Sequence, residues 1–598
     1  TSINLDQDPI TIPEPYVEIF HCQSRIQATI DKITDGPLRK ELQLLKRFPE
    51  EYMRTTLKNL QPQNTRGSVE FELIPYVFVP GSLVIRSNSF LSHLPTYWAA
   101  ILERCQVVRD DDKVFLEISM TYTGFDGTSF GPVVSEVSIP SYHGSKLISE
   151  LPVYPIEFHS SAERLLNELE TRGRKHAHLC SELTTESRTN QPIPGFHRDC
   201  SGPLWEPTDD DLRRRTDHSS RDSFVSQMFG DSPSSQSFGR VIVDPKGFFE
   251  EFPGFRDNVK HDRSHTSSSP HLYSGITSVI HTTGSLKRID EEEAEPHKAI
   301  FKSQGVDMKL ATMSPLVPAF SLAKQCWGYV LVEKISEIEW VEDSYENLHL
   351  DGKRKDSVRR LVQEHRERRA MLDDVIPGKG RGLVFLLHGP PGSGKTMTAE
   401  TVAESLRCPL YYTTGGELGL EVGDIEAKLR LIFQRTERWA AVLLFDEADT
   451  FMARRSEDNL ERNALVSILL RMLEYQSGVF FLTTNRIGDF DTAFYSRIHI
   501  RLSFEQPKAP QRTFIWTTLA AKTSGQGHSL SSDDFERLGT LPIDGRRIKN
   551  VLVVASLLCR SREDSVRLSL KDVRDALRIS GGDPGDIEAT QATEKFCE

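Results

Sequence analysis

In the front part of the chain, apolar and polar residues alternate in short runs broken by turn residues. GSVEFELIPYVFVPGSLVIRSN, from Gly67, sets β-formers on both sides of Pro80-Gly81, and KVFLEISMTY alternates Leu116, Ile118, Met120 and Tyr122 before the turn FDGT. The period then changes. SSAERLLNELETRGRK, from Ser160, carries leucines at helical spacing and predicts a helix that closes the β-rich unit against its sheet. Residues 205–240 and 256–300 turn rich in Ser, Asp and Gly, include the acidic run DEEEAE, and predict disorder. Between them GRVIVDPKGFF reads as a strand and turn, and SPLVPAFSLAKQCWGYVLVEKISEIEW later returns to strand-like text that completes the β domain.

KRKDSVRRLVQEHRERRAML, from Lys353, reads as a helix. Glu364 and Glu367 offset part of its charge, so it is expected as a solvated linker rather than a nucleic-acid or membrane contact. Beyond it, the buried runs GLVFLLHG, AAVLLFD and GVFFLTTN alternate with helical text, and a further strand follows DTAFYSRIHI. QRTFIWTTLAAK, SDDFERLGTL, GRRIKNVLVVASLLCR and SLKDVRDAL then give four helical patterns, a small all-helical lid.

These patterns divide the chain into a helical or irregular segment at 1–60, a β-rich domain at 61–204, a largely disordered insertion at 205–300 with a short strand near 240–248, and a completing piece at 301–345. A linker helix at 346–380, an α/β core at 381–505, the helical lid at 506–585 and a disordered tail at 586–598 follow. A length of 598 residues agrees with several domains, since single cores stop growing well below that size. A net charge of -13 gives no general attraction to phosphate backbones, which disfavours nucleic acid as a partner. The eight cysteines are scattered with no CxxC pair, as free thiols in a reducing compartment would be. No run approaches the roughly 20 apolar residues of a membrane span, and the expected location is intracellular, cytoplasmic or nuclear.

The chemistry concentrates at LHGPPGSGKTMTAE, Leu387 to Glu400. A strand, a glycine-rich loop and a helix in that order place backbone N–H groups and a helix N-terminus against phosphates. Gly389, Pro390, Pro391, Gly392, Ser393 and Gly394 form that cradle, Lys395 reaches the β- and γ-phosphates of ATP, and Thr396 ligates Mg²⁺. AAVLLFDEAD supplies Asp446 as a second magnesium holder and Glu447 as the base that polarises water. The letters DEAD also occur in RNA helicases, but too little chain follows Asp449 for a second motor domain. Asn485, at the end of GVFFLTTN, is expected beside the γ-phosphate. Arg497 precedes the fifth strand at the rim of the sheet, a position that suits an arginine finger supplied to a neighbouring subunit.

GPPGSGKT, LLFDEAD, TTNR, SRI and a lid beginning GRRIKN, in this order over about Glu339 to Ser580, resemble an AAA ATPase. GKGRGLVFLLHGPPGSGKT, LERNALVSILLRMLEY and FLTTNRIGDFDTAFYSRIH, with VPGSLV, LPVYPIEFH, RGRK, GRVIVDP and SPLVPAFSL in front, are similar to fungal AAA proteins whose N-terminal half is a domain of unknown function. The resemblance implies an AAA-type α/β P-loop core with a five-stranded parallel sheet and helical lid behind a β-rich α+β domain with disordered insertions. It also implies ATP with Mg²⁺ and a homo-oligomeric ring, expected to be a hexamer. By position it makes Arg546, or less favourably Arg547, the lid's phosphate sensor, and DDVI at Asp373–Ile376 the adenine-contacting segment, with Asp374, Val375 and Ile376 as its contacts. One departure concerns Glu421, which stands where protein-threading relatives carry an aromatic pore residue.

The expected function is an ATP-hydrolysing, ring-forming remodeller of a protein client chosen by the N-terminal domain. A nucleotide-dependent switch or scaffold, and a nucleic-acid remodeller or loader, are the alternatives. Three weaker patterns have plain readings. HAHLC, His176 to Cys180, is an incomplete metal set, and HRDC, His197 to Cys200, is expected as a polar loop rather than a nucleophile pair. RRRTDHSSRDS, Arg213 to Ser223, reads equally as a kinase target and as serine-rich surface.

Overall fold

The structure, a computed structural model, describes residues 16–597 apart from 34–35, 89–95, 111–112, 186–196, 208–234, 257–258, 260–305, 342–344, 346–347, 349–351, 368–380, 420–421, 456–459, 524–526, 561–566 and 581–586. The readings of Arg213–Ser223, Asp374–Ile376 and Glu421, and of the acidic insertion, lie outside the described residues. The chain divides into two compact units, Thr1–Ile338 and Glu339–Glu598.

The first unit opens with helices α1 (Val17–His21), α2 (Gln23–Lys32), α3 (Pro37–Tyr52), α4 (Arg54–Arg66) and the short α5 (Ile74–Val77). The alternating text then forms β2 (Leu83–Asn88), β3 (Thr96–Asp110), β4 (Lys113–Phe125), β5 (Phe130–Pro140) and β7 (Val153–Pro155), an antiparallel sheet in the order β5-β4-β3-β2-β7. Strands β1 (Ser68–Glu70) and β6 (Ser145–Leu147) pair separately. Asp126 fixes the β4–β5 turn, its carboxylate accepting from the Thr128 and Ser129 N–H groups and the Thr128 hydroxyl.

A second sheet follows. It comprises β8 (His197–Trp205), β9 (Ser235–Val243), β10 (Leu316–Ser321), β11 (Cys326–Leu331) and β12 (Ile335–Ser336) in the order β11-β10-β9-β8-β12, and β11 also pairs with β8, which closes four strands into a ring. HRDC is therefore not a loop but the start of β8, where His197 pairs opposite Ile242 and Cys200 opposite Gly239. GRVIVDPKGFF runs from β9 into helix α7 (Pro245–Glu251), capped by Asp244 accepting from Gly247 N–H at 2.8 Å.

Helix α6 (Ala162–Thr185) splints the two sheets. Leu165, Leu166 and Leu169 pack with Leu83, Ile85 and Ala99 of the first sheet, whereas Leu179 and Cys180 join Leu204, Val241, Val317 and Val330 of the second. The RGRK text and the histidine after it supply the polar ties. Arg172 Nη1 donates to Tyr97 O at 2.6 Å and to Glu333 at 3.1 Å, Lys175 donates to Ile335 O, and His176 Nδ1 lies 2.6 Å from Ser314 O. Short helix α8 (Met308–Ala311) crosses α6 at Gly173, where a Cβ would lie 2.0 Å from Leu310 O.

In the second unit, α9 (Gly352–Glu367) is not a solvated linker. Val358 and Val362, one turn apart, are buried with Tyr345, Leu348, Phe385, Leu387 and Val402, and His365 Nε2 is 2.6 Å from Arg381 O. Strands β13 (Leu383–His388), β14 (Leu410–Thr414), β15 (Val442–Asp446), β16 (Val479–Thr484) and β17 (Ile500–Ser503) form an all-parallel sheet in the order β14-β15-β16-β13-β17. Helices α10 (Lys395–Ser405), α11 (Gly415–Leu418), α12 (Val422–Arg438), α13 (Asp449–Met452) and α14 (Leu460–Tyr475) connect them. The order jumps from β13 to β14 across two intervening strands, the kind of switch point at which parallel sheets bind ligands beyond their C-terminal strand ends.

The lid comprises α15 (Ala509–Thr523), α16 (Ser532–Thr540), α17 (Gly545–Arg560) and α18 (Leu570–Ser580) around Trp516, Leu538, Ile548, Leu552 and Val573. The expected disordered tail instead holds α19 (Ile587–Cys597), whose Ala592 and Phe596 pack on this core with Arg574 over the Phe596 ring at 5.2 Å. No helix among the described residues is long and apolar enough to cross a membrane.

Candidate functional site: a phosphate cradle at a strand–helix junction

Strand β13 ends at His388, α10 begins at Lys395, and the loop between them is GPPGSG. All three of its glycines have a positive φ, and at two of them a side chain would also clash. Gly389 has φ 151° and a Cβ there would lie 2.2 Å from Phe504 O, while Gly392 has φ 70° and a Cβ would meet the Asp544 carboxyl at 2.6 Å. Ser393 braces the turn by donating to Pro390 O at 2.7 Å. The first N–H groups of α10 have no acceptor within the helix, so they and the helix dipole face the concavity of the loop.

Lys395 is buried, and its Nζ donates to Gly389 O at 2.9 Å and Pro390 O at 2.7 Å. Burial and the Arg546 guanidinium push its pKa down, and the Asp446 and Asp449 carboxylates oppose them. Arg546, near the start of α17 in the lid, thus lies close enough to act on the cradle lysine. The lid touches the cradle directly as well: Gly545 N–H donates to Gly392 O at 3.3 Å, and Asp544 caps α17 by accepting from Arg547 N–H at 2.8 Å.

Asp446, the last residue of β15, faces Thr396 at the head of α10, with Thr396 Oγ1 at 3.2 and 3.1 Å from its two oxygens. Two further hydroxyls reach the same carboxylate. Thr483 of β16 donates to Oδ1, and Tyr412 of β14 donates to Oδ2 at 3.3 Å; burial and then the Asp446 charge push the Tyr412 phenol up to about 12. Glu447 follows Asp446 with φ 54°, a left-handed backbone in a non-glycine residue, and its N–H donates to Thr483 Oγ1 at 3.1 Å. Asn485 follows the last residue of β16, beside β13, with which β16 pairs from Leu383↔Val479 to His388↔Thr484. The cradle, Asp446, Glu447 and Asn485 thus share the C-terminal ends of three neighbouring strands.

Arg497 stands elsewhere. It follows the 3-10 turn Thr492–Ser496 and precedes β17, whose Ile500 is level with Phe385 and whose Ser503 is level with His388, so Arg497 lies at the opposite end of the sheet from the cradle. Its guanidinium donates to Leu470 O at 3.2 Å, Ala493 O at 3.0 Å and Ser496 Oγ at 3.1 Å, and pairs with Glu474 at 3.5 Å.

The donor set fits magnesium. A threonine hydroxyl and a carboxylate on adjoining elements are hard oxygen ligands, too few to enclose an ion alone and suited to one that keeps waters and phosphate oxygens. HAHLC does not form a site of this kind. His176 and Cys180 lie buried on α6, and among the described residues no group of three or more His, Cys, Asp or Glu could hold a metal.

Residues 385–506 match the family model described as ATPase family associated with various cellular activities (AAA). The chain carries an AAA ATPase domain. In front of it residues 59–160 match DUF7025, a domain of unknown function. The AAA protein FIGL1 of Arabidopsis thaliana is 28% identical over 226 residues, 34% of this chain and 32% of its own. The chloroplastic ATP-dependent zinc metalloprotease FTSH 12 of the same organism is 29% identical over 234 residues, covering 36% and 22%. The ribosome biogenesis ATPase RIX7 of Saccharomyces cerevisiae is 35% identical over 163 residues, covering 26% and 19%. The match therefore spans no more than 32% of the length of these relatives. A crystal structure of the FIGL-1 AAA domain with ADP is similar at 22% identity and a TM-score of 0.33, covering 42% of this chain and 89% of that one.

The second unit also contains polar residues to which the sequence reading gave no role. Thr483 of β16, Tyr412 of β14 and Asp544 in front of α17 reach the site. The only signal for the first two was a hydroxyl within a strand that ends at the phosphate side.

Proposed function

We propose that the chain hydrolyses ATP with magnesium and uses the cycle to remodel a protein client selected by its N-terminal unit. The observation that carries this reading is the meeting of Lys395, Thr396 and Asp446 at a glycine cradle, with Glu447 beside them in a constrained backbone. Magnesium would be held by Thr396 and Asp446, and supplies charge neutralisation on the phosphate oxygens. Lys395 exchanges two carbonyl acceptors for the β- and γ-phosphates of ATP, gaining charge-assisted bonds. Glu447 accepts the proton of the attacking water, and Asn485 orients that water at the γ-phosphate. Arg546 brings a lid charge to the same phosphate, which couples lid position to nucleotide state. Asp374, Val375 and Ile376 are assigned to adenine. Arg497 serves the neighbouring subunit in a homo-oligomeric, hexameric ring, because it is remote from its own cradle.

Glu447→Gln should retain ATP and lose turnover by about 100-fold or more, whereas Lys395→Ala should lose ATP itself. Parental turnover in Glu447→Gln would overturn the assignment. A second reading has one observation in its favour: Glu421 occupies the place of the pore aromatic, and a carboxylate cannot intercalate among client side chains as a ring does. In that case the domain is a nucleotide-dependent switch, and client addition leaves its turnover at the basal rate.

A further inference from the structure

The backbone of Glu447 poses a question that the AAA motif does not answer. A left-handed conformation at φ 54° is costly for a residue with a Cβ, and it persists only where the surroundings over-determine it. One residue supplies the bonds on both sides of that conformation. Thr483 Oγ1 accepts the Glu447 N–H at 3.1 Å, and Thr483 O accepts the next N–H, that of Ala448, at 2.9 Å. The same hydroxyl donates its proton to Asp446 Oδ1, so its donor and an acceptor lone pair are both engaged. Thr483 is 1% exposed and held in register opposite Leu387 of β13, which gives this small clamp a rigid base.

We propose that Thr483 is a positioning residue of the hydrolytic site, holding Glu447 in its left-handed backbone and tying that geometry to Asp446. The inference rests on the ATPase reading above. In that reaction water attacks the γ-phosphorus, the bond to the β–γ bridging oxygen breaks, its electron pair leaves with ADP, and the proton of the water passes to Glu447. Thr483 contributes only by fixing where the acceptor of that proton stands. Near-isosteric valine keeps the shape but can neither accept the Glu447 N–H nor donate to Asp446.

The test uses the full chain with steady-state turnover, binding of a fluorescent ATP analogue and thermal melting. Thr483→Val should lower kcat by at least about tenfold while analogue affinity stays within about twofold, and Thr483→Ser should recover most of the rate. In a Glu447→Gln background, single-turnover hydrolysis should fall by less than about twofold on adding Thr483→Val, because a clamp has no effect without its base. If the valine variant does not fold, Thr483→Ala against Thr483→Ser is read by the same criteria. Parental kcat in the valine or alanine variant, a serine variant as slow as the variant lacking the hydroxyl, or full additivity with Glu447→Gln would overturn the positioning role alone. Parental turnover in Glu447→Gln by itself would instead overturn the ATPase assignment on which it rests.

Discussion

Acidification from about pH 7.5 to 5 should loosen the first unit, and His176 should account for half of the effect. The side chain is 4% exposed on α6, its Nδ1 2.6 Å from Ser314 O and its ring edge-on to Phe130. Burial and the Arg172 charge push its pKa from 6.5 down to about 4, against the opposing effect of the Ser314 carbonyl. A folded pKa below the unfolded one means that the unfolded chain binds more protons in this range. Stability is therefore whole above about pH 6.5 and is lost as pH falls towards 4. The full loss is about 3 kcal/mol, of which about 2 has gone by pH 5. His197, on β8 and pushed down to about 3 by burial and by the Arg240 and Arg198 charges, should lose about the same by pH 5. The assay is native-state hydrogen exchange at low urea, reading peptides from α6 and β10, since two units make a single melting temperature ambiguous. The parent should lose about 4 kcal/mol of opening free energy between the two pH values and His176→Gln about 2. An unchanged pH slope in His176→Gln would refute the buried neutral imidazole as the cause.

Gly173→Ala sets two effects in opposition, since alanine favours a helix by about 1 kcal/mol but its Cβ would lie 2.0 Å from the Leu310 backbone oxygen. The clash should win, with a net loss of about 1–3 kcal/mol in the exchange of α6 peptides, and a stabilised variant would show that α8 yields instead. Arg497→Ala should cost at least about 1,000-fold in turnover if it completes a neighbour's site. Mixing it with Glu447→Gln subunits, which keep the arginine, should restore part of that rate; failure to do so would remove the trans role.

What could be read from the sequence was local structure carried by contiguous residues. The strand, glycine loop and helix around Lys395 stand where the text places them because each part constrains its neighbour, and LLFD likewise ends a strand at Asp446. Readings failed where a residue's role depends on distant chain. HRDC resembles a loop because Gly202 and Pro203 follow it, yet β8 is a strand whose partners begin at Ser235, Cys326 and Ile335. The charges of α9 obscure Val358 and Val362, the two positions one turn apart that bury the helix in the core. In α19, Ala592 and Phe596 repeat at the same interval in a segment too short to signal a helix by composition.

Thr483 shows the same dependence at the candidate site. As text it is one of two threonines before Asn485, and nothing distinguishes it from Thr484. In the fold, Thr484 uses its hydroxyl locally, accepting from Arg486 N–H at 2.9 Å, while Thr483 joins two carboxylate-bearing residues 36 and 37 positions away. Strand alternation accounts for the difference: adjacent residues of β16 face opposite sides of the sheet, so only one of two consecutive hydroxyls can meet β15 at this level. A one-residue slip of β16 against β15 would exchange them and leave the left-handed turn at Glu447 without its acceptor. The register of two apolar strands thus decides where the Glu447 backbone finds its acceptor.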